Sequence, residues 1–192
     1  MNISIPIGMS LSWMAVLVYW VISGFKVKKV KSQESLSVRI AQYWLPLLVA
    51  SVLLGSENWF EHTFSVKGFI PHSNLVGIIG LLLCVLGAMV ACRSRYLLGK
   101  NWSLSVQAKE SHELIQSGIY SLVRHPIYSG ILLLYAGSAI VNGGYTGVLA
   151  VVIVFISFWS KLKKEESMLT SIFGDQYLEY KTRTKALIPF VL

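Results

Sequence analysis

Charge is scarce in this sequence: of 192 residues, 14% are Asp, Glu, Lys or Arg, against roughly a quarter in an ordinary water-soluble domain. Hydrophobic residues make up 54% and the mean hydropathy is +0.61, which excludes a soluble cytosolic fold, a disordered chain and a collagen. Cysteine is nearly absent. Cys84 and Cys92 stand eight residues apart in one apolar run, too far for a bridge within a helix, so a disulfide scaffold is excluded and both read as small core residues. The four histidines show no HxxxH or HxxE spacing, so no metal site is expected, and His62 and His72 read as solvated loop residues. Neither a GxGxxG after a strand nor a GxxxxGK[ST] occurs, which removes the nucleotide-binding folds.

What the chain does have is uncharged length. Ile5 to Phe25 carries no charge and can cross a hydrocarbon core of about 30 Å at about 1.5 Å per residue. It does not read as a cleaved signal peptide, because no basic residue precedes it and Lys26, Lys28, Lys29 and Lys31 follow. A second run, Ile40 to Ser56, contains Pro46, which membrane helices tolerate as a kink. A third runs from Gly68 to Cys92, with its helix starting near Ser73. The fourth, Pro126 to Ser160, is uncharged for 35 residues and broken at Asn142-Gly143-Gly144. Two full spans need about 40 residues, so the pattern predicts a tight helical hairpin with short arms, or one whose second arm continues into charged sequence. The expectation is an all-α integral membrane protein with five transmembrane helices, the last two a hairpin, and a cytoplasmic C-terminal helix. Residues 1–95 carry helices 1–3, residues 96–192 the rest, in a single structural unit.

Basic residues outnumber acidic ones 17 to 9, and their placement gives orientation. In a five-span arrangement the link between helices 1 and 2, the link between 3 and 4 and the tail lie on one side. They hold 16 of the 17 basic residues, leaving Lys67 opposite. The positive-inside rule makes that side cytoplasmic, with the N-terminus outside and the C-terminus inside. No basic stripe separable from the membrane flanks remains, so nucleic acid is not an expected partner. Asn101-Trp102-Ser103 has the letters of a glycosylation sequon but falls on the cytoplasmic side.

Two polar segments remain at that side. In the first, from Ser111 to Gly130, Pro126 suits the first turn of a helix, which puts Arg124 and His125 at its mouth. Free backbone N–H groups there would favour a carboxylate or another anion; the alternative is an interfacial anchor, with Arg124 snorkelling and Tyr128 in an aromatic belt. In the second, Lys161 and Glu165 are i,i+4 and share a helix face, and Leu162, Met168, Leu169, Ile172 and Phe173 offer an apolar face for packing. Glu165 and Glu166 read either as site residues or as a solvated pair.

Together the two segments carry a recognisable pattern, close to HxL[IV]xxGxYxxxRHPxYxG over His112 to Gly130 and EExxLxxxFGxxYxxY from Glu165, ending near Pro189. This resembles the isoprenylcysteine carboxyl methyltransferase family and its prokaryotic orthologues, with Leu98 to Ser103 also similar, and it covers the C-terminal half. The resemblance implies a cytosolic pocket for S-adenosylmethionine built from the last two helices and the tail. Cofactor contacts would come from Gln107, His112, Glu113, Leu114, Ile115, Gly118, Tyr120, His125, Pro126, Ile127, Tyr128, Glu165 and Glu166. Arg124, Lys161 and Glu165 would be the catalytic set. Where the family usually has an arginine that contacts the substrate this chain has Lys161, which keeps the charge without the bidentate fork. The implied reaction is methyl transfer to a lipophilic or lipidated acceptor entering from the bilayer, most simply an isoprenylcysteine-like carboxylate. A phospholipid or other small-lipid acceptor, an NADPH-dependent reductase resembling the sterol reductases, and a non-catalytic scaffold or transporter are the competing readings. The last is disfavoured because no charged residue lies within a span and the polar motifs cluster at one mouth.

Overall fold

The structure is a computed structural model that describes residues 3–25, 30–55, 68–102, 107–109 and 113–192. Its helices are α1 (Ser4–Gly24), α2 (Leu36–Gly55), α3 (Asn74–Leu98), α4 (Pro126–Asn142), α5 (Tyr145–Phe173) and α6 (Asp175–Arg183). Helices α1, α2, α3 and α5 are long and apolar enough to cross a membrane, and α4 is a shorter apolar helix of 17 residues. The helical ends follow local chemistry. Ser73 caps α3, its hydroxyl accepting from the Val76 N–H at 3.2 Å. Gly143, left-handed at φ 81°, closes α4 and turns the chain into α5, which continues through the charged residues to Phe173.

Two features depart from the sequence reading. A short antiparallel ladder pairs β1 (Val30–Gln33) with β2 (Gln107–Lys109), tying the link after α1 to the link after α3. Neither segment is long or alternating enough to announce a strand. Helix α3 also runs past Cys92 to Leu98, carrying Arg95 into the interior, where it is 2% exposed. Its guanidinium donates to the Ser23 carbonyl at 2.6 Å and the Gly99 carbonyl at 2.7 Å, and lies over the Trp102 ring, so one side chain satisfies the ends of both α1 and α3.

The closest packing is between α3 and α4, through facing glycines. A Cβ on Gly130 would lie 2.7 Å from the Gly87 carbonyl oxygen and the Ala91 nitrogen, and one on Gly137 would strike the Gly80 carbonyl and Cys84. Lipid offers no hydrophobic gain for helix association, so close backbone approach at small residues is what holds such a seam. Helix α4 is buried on most of its circumference, with α5 also against it, and α2 packs on α5. The proline expected to kink α2 acts through the backbone. Pro46 has no N–H for the Gln42 carbonyl, which instead accepts from the Ser157 hydroxyl of α5 at 2.7 Å. The preceding turn, Ile40–Trp44, is wound as a π-turn.

Candidate active site

The entry to α4 is built by the C-terminal tail. Residues after α6 fold back along it: the N–H groups of Arg124 and His125 donate to the carbonyls of Lys185 and Ala186 at 2.8 and 2.9 Å, and the Ser129 hydroxyl donates to the Leu187 carbonyl at 2.6 Å. Pro126 opens the helix as expected. The backbone donors just before it, those of Arg124 and His125, are spent on the tail rather than free for an anion, because the chain's own carbonyls reach them first. Arg124 is likewise engaged, donating through Nε to Glu166 at 2.7 Å and through Nη1 to the Thr184 carbonyl.

Helix α5 supplies the second wall. Phe158, Lys161, Leu162, Glu165, Met168 and Leu169 recur at helical spacing on one stripe; all but Leu162 line a cavity of about 180 Å³ at the α4 mouth. Ile172, expected on the same apolar face, is exposed instead. The two acids divide. Glu165 faces the cavity, with an oxygen 3.6 Å from His125 Nδ1 and another 3.9 Å from Lys161 Nζ. Glu166, one residue round the helix, points to the tail and holds Arg124, Lys181 at 2.9 Å and His125 Nε2 at 3.4 Å. Burial alone would push the His125 imidazole down, but the two carboxylates outweigh it and hold it above its ordinary value. His125 stacks on Tyr128 at 5.4 Å, and Tyr128 on Phe158 at 4.6 Å. Tyr180 donates to the Tyr120 carbonyl at 2.5 Å, and its burial pushes its phenol up to about 12.

Of the residues singled out in the sequence, Glu113, Leu114, Ile115, Tyr120, Arg124, His125, Ile127, Tyr128, Lys161 and Glu165 line this one cavity. Glu113 also accepts from Asn101 at 3.3 Å. Pro126, Gly118 and Glu166 do not line it. Gly118 turns the chain at φ 63° into a short 3-10 turn, Gly118–Ser121, which carries Tyr120. His112 lies outside the described residues, and Gln107 is described only as backbone within β2.

The remaining wall comes from α1 and α2, which the sequence did not single out, and from the Leu98 to Ser103 segment, which it did as similar to the family. Trp20 of α1, Tyr43, Trp44 and Leu47 of α2, Leu98 of α3, and Asn101 with Trp102 close the cavity opposite α5. Tyrosine and tryptophan near helix ends are ordinary interfacial anchors, so their types carried no signal; Pro46 carried one, since it loosens the turn that presents Tyr43 and Trp44. Four buried polar atoms of cavity-lining residues, Trp20 Nε1, Asn101 Oδ1, the Tyr177 hydroxyl and His125 Nε2, have no hydrogen-bond partner among the described residues, the last standing 3.4 Å from Glu166 as an ion pair. Asn101 is 7% exposed, which suits a cavity wall and not a glycan acceptor.

Apolar membrane-length helices around a charged, aromatic-walled cavity at one helix mouth define an integral membrane protein with a candidate site at the end of its apolar helices. Residues 75–176 match the phospholipid methyltransferase family, and the chain belongs to it. It is similar to the human protein-S-isoprenylcysteine O-methyltransferase, 29% identical over 177 residues, covering 88% of this chain and 61% of the human one. The Saccharomyces cerevisiae protein of the same name is 27% identical over 192 residues, covering 95% of this chain and 77% of its own. Among solved structures, the eukaryotic intramembrane Ras methyltransferase, isoprenylcysteine carboxyl methyltransferase, superposes with a TM-score of 0.62 at 27% identity, covering 79% of this chain and 53% of that one. The chain thus spans about three-fifths of the human relative's length.

Proposed function

We propose that this protein is an S-adenosylmethionine-dependent membrane methyltransferase acting on a lipophilic carboxylate of the isoprenylcysteine kind. The observation that carries this reading is the convergence on one cavity of Glu165, Lys161 and stacked aromatic rings from the membrane helices. The residues present suit the cofactor. Its sulfonium and ammonium call for an acid and for aromatic faces, which Glu165 and Tyr128 offer, and its adenine and ribose can use the unpartnered atoms of Asn101, Trp20 and Tyr177. Bound there, S-adenosylmethionine supplies a methyl group activated on sulfur.

The chain's own part is positional. Glu113, Leu114, Ile115, Tyr120, Ile127 and Tyr128 shape the cofactor half, with His125 stacked behind Tyr128; Gly118 and Pro126 set the backbone, and Gln107 and His112 complete the set carried over from the family pattern. Glu166 and Arg124 act from behind, fixing the tail and His125. Lys161 holds the acceptor carboxylate in line for displacement, and an anionic acceptor needs no general base. Trp20, Trp44, Leu47 and Trp102 exclude water and receive the acceptor's apolar part from the bilayer. The family name raises a phospholipid amine as acceptor instead. A protonated amine would meet like charge at Lys161, which favours the carboxylate.

We place five crossings in the membrane, α4 being the fourth, with the N-terminus outside and the C-terminus cytoplasmic. The test is calorimetric titration of detergent-solubilised protein with S-adenosylmethionine and separately with NADPH, followed by methylation of lipid extract and of N-acetyl-S-farnesylcysteine with labelled cofactor. Micromolar binding of S-adenosylmethionine alone and label on the farnesylcysteine are expected. Binding of NADPH alone, or label only on phospholipid, would overturn the reading.

A further inference from the structure

Beyond α6 the chain carries Ala186-Leu187-Ile188-Pro189-Phe190-Val191-Leu192, seven residues without charge. They advance in the same direction as the entry of α4: a parallel bridge pairs Val123 with Lys185, and the Leu187 carbonyl reaches the Ser129 hydroxyl, one turn inside the helix. Ala186 and Leu187 are buried in the apolar cluster that holds Ile127, Ile131, Phe158 and Leu162. Phe158 and Leu162 flank Lys161, where the uncharged part of α5 gives out. The tail therefore turns at the level where apolar helix surface meets polar sequence, which for a spanning helix is the membrane interface.

The turn itself is tied up inside and apolar outside. The N–H groups of Leu187 and Ile188 donate to the Leu192 carbonyl at 2.7 Å, and those of Val191 and Leu192 to the Ile188 carbonyl at 3.1 Å. Lipid demands such internal pairing of backbone groups, whereas water does not. Ile188, Phe190 and Val191 are nonetheless exposed, Phe190 by 90%. Phe190 also stands at φ 65°, a left-handed conformation that a solvated turn gives to glycine or asparagine, so a bulky ring held there calls for a role outside the turn. Beside it lies a shallow cleft of about 120 Å³, lined by Leu122, Arg183, Lys185 and the hydroxyl residues Ser121, Thr182 and Thr184. Lys185 has no ion pair among the described residues, and Arg183 is shared with the exposed Glu179 at 3.6 Å and with Gln116 at 3.4 Å. No acid lines the cleft to meet a choline or an ethanolamine.

We propose that this turn is an interfacial anchor that holds an anionic phospholipid: Ile188, Phe190 and Val191 enter the acyl boundary, and Lys185 with Arg183 takes the headgroup phosphate. The anchor needs α5 in the membrane and is independent of the methyltransferase reading.

The test uses the full chain with Cys84→Ala, Cys92→Ala and Val191→Cys, labelled with a small fluorophore and reconstituted into phosphatidylcholine vesicles. The quencher is phosphatidylcholine or phosphatidylglycerol with a nitroxide high on the acyl chain. Both lipids are expected to quench the label, the phosphatidylglycerol at an about fivefold lower mole fraction, the worth of one unpaired lysine at an anionic surface. Arg183→Gln/Lys185→Gln should remove that difference, and a label at Glu179→Cys should stay unquenched. Phe190→Gly relieves the left-handed strain and so would only improve a turn in water; here it should reduce quenching at Val191→Cys several-fold. A label quenched by neither lipid, equal quenching by both, a difference that survives the loss of both basic residues, or quenching unchanged by Phe190→Gly overturns the proposal. Calorimetric binding of S-adenosylmethionine is read separately, so each of these failures leaves the methyltransferase reading standing.

Discussion

Glu165 and Glu166 are adjacent in sequence, yet the helix turns them to different tasks, and the difference is measurable. Glu165→Ala is expected to abolish S-adenosylmethionine binding by calorimetry while the bundle stays folded, with a lower melting temperature because the buried Lys161 and His125 lose a carboxylate at 3.9 and 3.6 Å. Glu166→Ala removes the partner of Arg124 and Lys181 where Arg124 is about nine-tenths buried. An uncompensated buried charge costs on the order of 3 kcal/mol, so this variant should melt well below wild type. A cofactor loss confined to Glu166→Ala would reverse the assignment. His125 gives the site a pH dependence of known sign. Its folded-state value lies above the ordinary one, so its contribution to stability is complete below about pH 6.5 and is lost as pH climbs through the raised value. Melting temperature should therefore fall over that window, and His125→Asn should flatten the curve. At this scale the sequence was informative wherever a residue type is unusual for its place: an acid pair and a histidine beside membrane helices stand out. Tyr43, Trp44 and Trp20 do not, since aromatic residues at helix ends are expected of any membrane protein.

Among the elements, the seam between α3 and α4 decides where the α4 mouth sits. Gly80, Gly87, Gly130 and Gly137 allow the two backbones to touch, and a methyl on Gly137 has backbone and the Cys84 sulfur in its way. Gly137→Ala should destabilise the protein by about 1–3 kcal/mol through forced separation of the helices, whereas Gly24→Ala, with open space around it, should be neutral. Equal thermal shifts for the two would show that the seam is not close-packed. The helices themselves were legible because uncharged runs have hard edges: Ser73, Pro126 and the Asn142-Gly144 break all mark observed boundaries. The ladder between β1 and β2 was not, since strands of four and three residues leave no period to count. Nor was the tail's return to α4, which depends on backbone carbonyls that every residue carries.

The whole molecule is organised by parity. A fivefold crossing puts the two ends of the chain on opposite sides, and a fourfold one puts them on the same side. Everything turns on α4, whose 17 residues rise about 25 Å against a hydrocarbon core of about 30 Å. A helix that short would be poorly matched if it faced lipid alone. It is packed on α3 through the glycine seam and on α5 through the hairpin, so in the proposed five-crossing arrangement it would present little surface to the bilayer, and the shortfall would fall at the mouth, where the cavity opens. The charge distribution agrees, since residues 26–39, 93–124 and 161–185, all on one side of a five-crossing arrangement, hold 16 of the 17 basic residues. Cys84 is buried and Cys92 half-buried, so both can be replaced by alanine as a background for single reporter cysteines. In intact cells a membrane-impermeant thiol reagent should label Ser4→Cys directly, and Glu179→Cys on the exposed face of α6 only after permeabilisation. Labelling of both from the same side would remove α4 from the membrane. Helix α5 is of membrane length either way, so Lys161 and the acid pair keep their place at its polar end, and the measurement decides the crossing of α4 separately from the proposed chemistry.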